Sequence, residues 1–321
     1  MEASKIMNRG SSGSKLRPVT LSALPGRRYV LGLIVEACLR YQSSTSQPDP
    51  VHVTAHYLRA TSVGPFEVRV RTLRTGKGLA NLLADLIQDN VIKVTAHAIF
   101  GNLDPASASQ TGPSLTLVPP APGARVTPFG IYPSSLKPST KEPRWNFTPY
   151  IQAARDRSIH ERHARLAKAG ESDGGVEGGG WYTFSDPGDV LTPASLAFFA
   201  DLFPDKLPVA AYPDLPSSWF PTVTMSVQFC ARIPRGSENH SQHTVGTFTS
   251  GRFIDEPMGR HDIYVEVWTA PSDLGDGKQP KEGWREDQRC LVVAHQMALT
   301  VPMEVNERKR KPATQDAKSK L

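Results

Sequence analysis

Apolar and polar positions alternate along several short stretches of this chain, while two longer stretches are apolar on nearly every side. "VHVTAHYLRA" (51–60) and "VTMSVQFCAR" (223–232) alternate at a period of two, the pattern of strands with one buried face. "RRYVLGLIVEACLRYQ" (27–42) follows Pro25-Gly26 and has no continuous polar stripe, which predicts a helix buried all round. "TPASLAFFADLF" (192–203) predicts a second buried helix, with Thr192 as N-cap and Pro193 at the first helical position. Between the two halves, residues 105–149 hold ten prolines and can neither continue a helix nor fill a central strand.

Each side of that break has the same order: apolar helix, alternating strand, further strands. Laying the alternating strands together sets His52 against Thr224, Thr54 against Ser226, His56 against Gln228 and Tyr57 against Phe229. The last strands agree as well, "VTAHAIFG" (94–101) with "VVAHQMALT" (292–300), so that Ala96-His97-Ala98 falls on Ala294-His295-Gln296. A duplicated unit, one buried helix wrapped by a long antiparallel sheet, is the economical reading, and it makes the chain α+β. The expected divisions are a flexible N-terminal tail (1–19), a first unit (20–104), a proline-rich linker (105–144), a second unit (145–303) and a basic tail (304–321).

Charge changes the picture once it is located. The formal charge is +6, but Arg308, Lys309, Arg310, Lys311, Lys318 and Lys320 all lie in the tail, so the body is close to neutral and offers no basic face for nucleic acid. No apolar run approaches the roughly 20 residues of a membrane span, and the N-terminus lacks the apolar core of a secretory signal. Cys38, Cys230 and Cys290 are too far apart in sequence for a zinc motif or a disulfide framework. The expectation is a soluble intracellular protein in a reducing compartment.

With these motifs in order, the chain resembles the thioesterase-like double-hotdog family, relatives of acyl-CoA thioesterase II that are frequent in fungal pathways. The first half carries the resemblance in "PDPVHVTAHYLRATSVGPFEVRVRTLRTGKG" and "NVIKVTAHAIFG", the second in "LTPASLAFFADLFP", "WFPTVTMSVQF", "HDIYVEVW" and "VVAHQMALT". It covers about residues 20–103 and 180–301. It implies a tandem double hotdog and hydrolysis of an acyl-CoA or other acyl thioester, in fatty-acyl or specialised-metabolite biosynthesis. No cofactor is implied, and a homo-oligomer is compatible with it.

In that family a carboxylate, a hydroxyl and a glutamine of the second hotdog activate a water. The resemblance puts the glutamine at Gln296 and the hydroxyl among Thr247, Thr249 and Ser250, with Thr249 favoured. It puts the carboxylate position at Thr224, where threonine cannot serve as a general base near neutral pH. The base would then come from Asp201, His52 or His295. His52, His56, Gln228 and His295 are expected to line the substrate site, and Arg59, Arg71, Arg74 or Lys77 to meet coenzyme A phosphates. Loss of the carboxylate leaves two alternatives open: cyclisation, dehydration or isomerisation in the same acyl pocket, or acyl binding without catalysis.

Other chemistry finds little support in the sequence. There is no G-x-S-x-G elbow, and "GGVEGGG" has neither dinucleotide nor P-loop spacing and reads as a mobile hairpin. The pairs His160-x-x-His163 and His240-x-x-His243 lack further ligands nearby, so no metal is expected. The chain ends in Ser319-Lys320-Leu321, the signal read by the peroxisomal import receptor, on a polar tail that would hold it clear of the fold. A peroxisomal location is therefore expected.

Overall fold

A computed structural model describes residues 17–19, 30–104, 117–139, 148–202 and 207–304. The first half contains β1 (Arg17–Val19), α1 (Val30–Gln42), β2 (Asp49–Tyr57), β3 (Glu67–Thr75), β4 (Ala80–Gln88) and β5 (Val91–Gly101). The second contains β6 (Ile151–Arg155), α2 (Arg157–Ala169), β7 (Val176–Phe184), α3 (Pro193–Ala200), α4 (Leu207–Ala211), β8 (Ser218–Trp219), β9 (Thr222–Phe229) and β10 (Thr244–Gly251). It is completed by β11 (Ile254–Asp255), β12 (Arg260–Thr269), β13 (Cys290–Ala298) and β14 (Val301–Pro302).

One antiparallel sheet runs through the molecule in the order β1-β3-β4-β5-β2-β9-β13-β12-β10-β7-β6, with β11 beside β12; β8 and β14 form a separate ribbon. Outward from the central β2–β9 pair, β5, β4, β3 and β1 of the first half match β13, β12, β10 and β7 of the second, which adds β6 at its edge, so this is a double hotdog. The junction has the register of a pseudo-two-fold: His52 pairs with Gln228 and His56 with Thr224. The internal alignment interchanges those two pairs, as a two-fold must. By the same operation Gln296 corresponds to Ala98, Tyr57 to Phe229, and Thr222 to Pro50.

Both apolar helices lie on the inner face of this sheet, as their patterns predict. Leu31, Ile34, Val35, Ala37 and Cys38 of α1 are fully buried, as are Ala197, Phe199 and Ala200 of α3. Helix α3 starts with the expected Thr192 cap: the Thr192 side chain accepts from the Ser195 amide, and Ser195 Oγ accepts from the Thr192 amide. The two helices cross at Gly32, where a Cβ would stand 2.8 Å from the Ala194 carbonyl oxygen, so a larger residue would force them apart.

The proline-rich region and the glycine run differ from their sequence readings. Within the expected linker, residues 117–139 lie against the outer face of the second hotdog, and Phe129 is fully buried there with Ile159, Trp181 and Trp268. Asp156, the N-cap of α2, accepts from the amides of Gly130 and Ile131 at 2.9 Å each, while Trp181 Nε1 donates to the Ile131 carbonyl. Arg125 joins the buried carboxylate of Glu266 at 2.6 Å. The run "GGVEGGG" is no mobile hairpin: its end enters β7, and a Cβ on Gly179 would collide with Ile159 and Phe129. Gly179 has no room for a side chain because Ile159 of α2 and Phe129 of the strap formed by residues 117–139 press onto the backbone of β7.

Of the expected N-terminal tail, residues 17–19 pair with β3, while residues 1–16 lie outside the described residues. So do 105–116 and 140–147 of the linker region, and 305–321, including Ser319, Lys320 and Leu321.

Candidate active site

Gln296 stands on β13 between Met225 of β9 and Ile263 of β12, both buried, so its side chain points inward to the helices. It is only 5% exposed, and a buried amide requires partners. Its Nε2 donates to Asp201 Oδ1 at 2.7 Å and to Thr222 Oγ1 at 2.6 Å. A carboxylate at the C-cap of α3 and a hydroxyl at the start of β9 are thereby tied to one amide. Because Thr222 Oγ1 accepts from Gln296, its own proton remains available to donate elsewhere.

Thr222 reaches this face through an irregularity. The β13–β9 register runs Gln296↔Met225, Met297↔Thr224, then Ala298↔Thr222. Strict alternation would put Thr222 and Thr224 on the same, outer, side. The bulge between them turns Thr222 inward while Thr224 stays outward, opposite His56.

Several expected residues are therefore placed differently. The carboxylate beside Gln296 is Asp201, and Thr224 is not part of the cluster. The hydroxyl that meets Gln296 is that of Thr222, whereas Thr249 sits two strands away on β10 and donates to the Gly178 carbonyl. The expected substrate-lining set of His52, His56, Gln228 and His295 lies on the outer face of the sheet, opposite Gln296, because even and odd residues of a strand point to opposite sides. There His52 Nε2 meets Ser226 Oγ at 2.8 Å, and His295 packs at 5.0 Å from the Tyr264 ring. Burial and the charge of His97 lower the His52 pKa, favouring its neutral form. The second histidine of that junction, His56, is exposed.

An open groove of about 290 Å³ beside Arg125, Glu266 and Tyr264 is also on the outer face. Both of its carboxylates face cations: Glu266 accepts from Arg125, Tyr264 Oη and Trp268 Nε1, and Glu177 lies 3.6 Å from Arg162. Among the described residues no group of three or more His, Cys, Asp or Glu could hold a metal ion, and no helix is long and apolar enough to cross a membrane. His240 Nε2 and His243 Nδ1 instead meet the Asp287 and Asp189 carbonyls.

Residues 29–101 match the family model of the acyl-CoA thioesterase N-terminal domain. That match spans the helix and four strands of the first hotdog. Among solved structures, the chain is similar to a hotdog-fold protein of unknown function from Alicyclobacillus acidocaldarius at 16% identity and a TM-score of 0.62, over 91% of this chain and 94% of that one. It is similar to a candidate thioesterase II from Thermobifida fusca at 16% identity and TM-score 0.61, over 88% and 93%. An acyl-CoA thioesterase II from Mycobacterium marinum gives 15% identity and TM-score 0.57, over 90% and 97%. These likenesses show the double-hotdog fold over both halves of the chain. No curated protein sequence matches it.

Proposed function

We propose that this thioesterase-like protein hydrolyses an acyl-CoA thioester, with Asp201 as general base and with Thr222 and Gln296 holding the attacking water. The observation that carries the reading is the Gln296 amide, which fixes a carboxylate and a hydroxyl side by side on the inner face. Asp201 takes a proton from the water, whose oxygen attacks the thioester carbonyl carbon. The tetrahedral intermediate collapses with cleavage of the C–S bond, and the proton on Asp201 passes to the departing thiolate. The products are a carboxylic acid and coenzyme A. Water has little nucleophilicity until a positioned base removes its proton, so the reaction needs the carboxylate in contact with it.

A panel of acyl-CoAs of different chain lengths, read as free thiol released, tests the proposal. Wild-type protein should release thiol from at least one of them; absence of release across the panel rejects hydrolysis. Thr224→Asp provides a directional check, since a carboxylate on the outer face cannot reach the water. Its rate is expected to stay within about threefold of wild type, whereas a gain in the range of about 10²–10⁴ expected of a new general base would relocate the site.

The same reading includes a peroxisomal address in Ser319-Lys320-Leu321, supported by the terminal tripeptide and the polar run before it. A fluorescent protein fused at the N-terminus should collect in peroxisomes through the import receptor, and deletion of Leu321 should leave it cytosolic. A diffuse signal from the intact fusion rejects the address.

A further inference from the structure

The pseudo-two-fold gives this molecule two equivalent inner sites, and their chemistry has diverged completely at the three sheet positions that can be compared. At one, the second hotdog supplies Thr222 and Gln296, and the first hotdog supplies Tyr57. At the other, the corresponding residues are Pro50, Ala98 and Phe229. Ala98 and Phe229 are buried in the apolar core. Polarity has thus been kept on one side as a set, and Tyr57 belongs to that set although it comes from the other half of the chain.

Tyr57 is placed to act there. It is the last residue of β2, opposite the buried Val94 of β5, and has the same parity as Val53 and Ala55, both buried. Its ring therefore lies on the inner face, part-buried against the main core. It is one residue beyond the His56↔Thr224 pair, which brings it to the end of β9 where Thr222 turns inward. The charge of Asp201 and burial push its pKa well above the ordinary tyrosine value, burial being the larger cause, so the phenol keeps its proton at neutral pH. Among the described residues its hydroxyl has no hydrogen-bond partner. A phenylalanine would satisfy the packing equally well, as Phe229 does at the equivalent position.

We propose that Tyr57 is the oxyanion donor of the site, its O–H hydrogen-bonding the thioester carbonyl oxygen as negative charge develops during attack by the water held at Asp201. The tyrosine keeps its proton throughout, and no bond to it is made or broken. The inference rests on the hydrolytic reading above. It assigns the two halves different duties in one reaction: the second hotdog activates the water, and the first stabilises the charge that the attack creates. The β2–β9 pairing at the junction is what carries Tyr57 to the Thr222 end of β9.

Tyr57→Phe tests it with little risk to folding. With an acyl-CoA that wild type hydrolyses, kcat should fall by about 10²–10³-fold, the usual effect of removing one oxyanion donor, with KM changed less than about threefold and the melting temperature unaltered. A loss seen in KM with kcat unchanged makes Tyr57 a ground-state contact and overturns the assignment. Unchanged kcat and KM, alongside inactive Asp201→Asn, also overturns it while leaving hydrolysis standing. No thiol release by wild type on any acyl-CoA removes the hydrolytic reading itself, and the inference falls with it.

Discussion

Asp201→Asn should lower thiol release from acyl-CoA by about 10²–10⁴-fold, with little change in KM and no loss of folded protein. Asparagine has nearly the same shape as aspartate and keeps a carbonyl oxygen that can accept from Gln296 Nε2, so the tie among Asp201, Gln296 and Thr222 survives. What disappears is the capacity to take a proton from water. Gln296→Ala should produce a comparable loss by a different route, since it frees both the carboxylate and the hydroxyl from their shared donor. The double variant should be little worse than either single one, because residues that act as one unit do not contribute additively. Activity of Asp201→Asn within about threefold of wild type would show that the base lies elsewhere.

Phe129→Ala is expected to destabilise the second hotdog by about 3–5 kcal/mol, the range for truncating a buried phenylalanine. Phe129 is fully buried at a ring-centroid distance of 4.4 Å from Trp181, and a Cβ on Gly179 or Gly246 would run into its ring. The opening left by its removal is bounded by sheet backbone at those glycines, which cannot collapse inward to fill it. The hydrogen bonds from Gly130 and Ile131 to Asp156 follow directly in sequence and would lose their anchor. Thermal or denaturant unfolding measures the change. A loss below about 1 kcal/mol would mean that the strap rests on the sheet without contributing to its core. Because the strap and the Asp201–Thr222–Gln296 cluster lie on opposite faces, kcat at a temperature where the variant is folded should change little.

Period-two alternation carried much of this fold in the sequence. It marked "VHVTAHYLRA" and "VTMSVQFCAR" as half-buried strands, and those strands form the junction of the sheet in the register that their internal alignment implies. The two apolar helices and the Thr192 cap were equally legible, because each depends on neighbours a few residues apart. Gln296 was visible as a polar residue in an apolar strand, and Asp201 as a carboxylate at the end of an apolar helix.

The sequence by itself determined the duplicated α+β plan, the two buried helices and the inward strand positions, since these follow from local periodicity and from the need to bury apolar side chains. Only the tertiary structure decided which hydroxyl joins Gln296, because a bulge reverses the facing of Thr222 and alternation carries no record of it. It also decided that His52, His56, Gln228 and His295 lie away from Gln296, for sharing a motif in sequence does not mean sharing a face. The strap was hidden for a related reason: prolines report what backbone cannot form, whereas the place of Phe129 depends on glycines contributed by two distant strands.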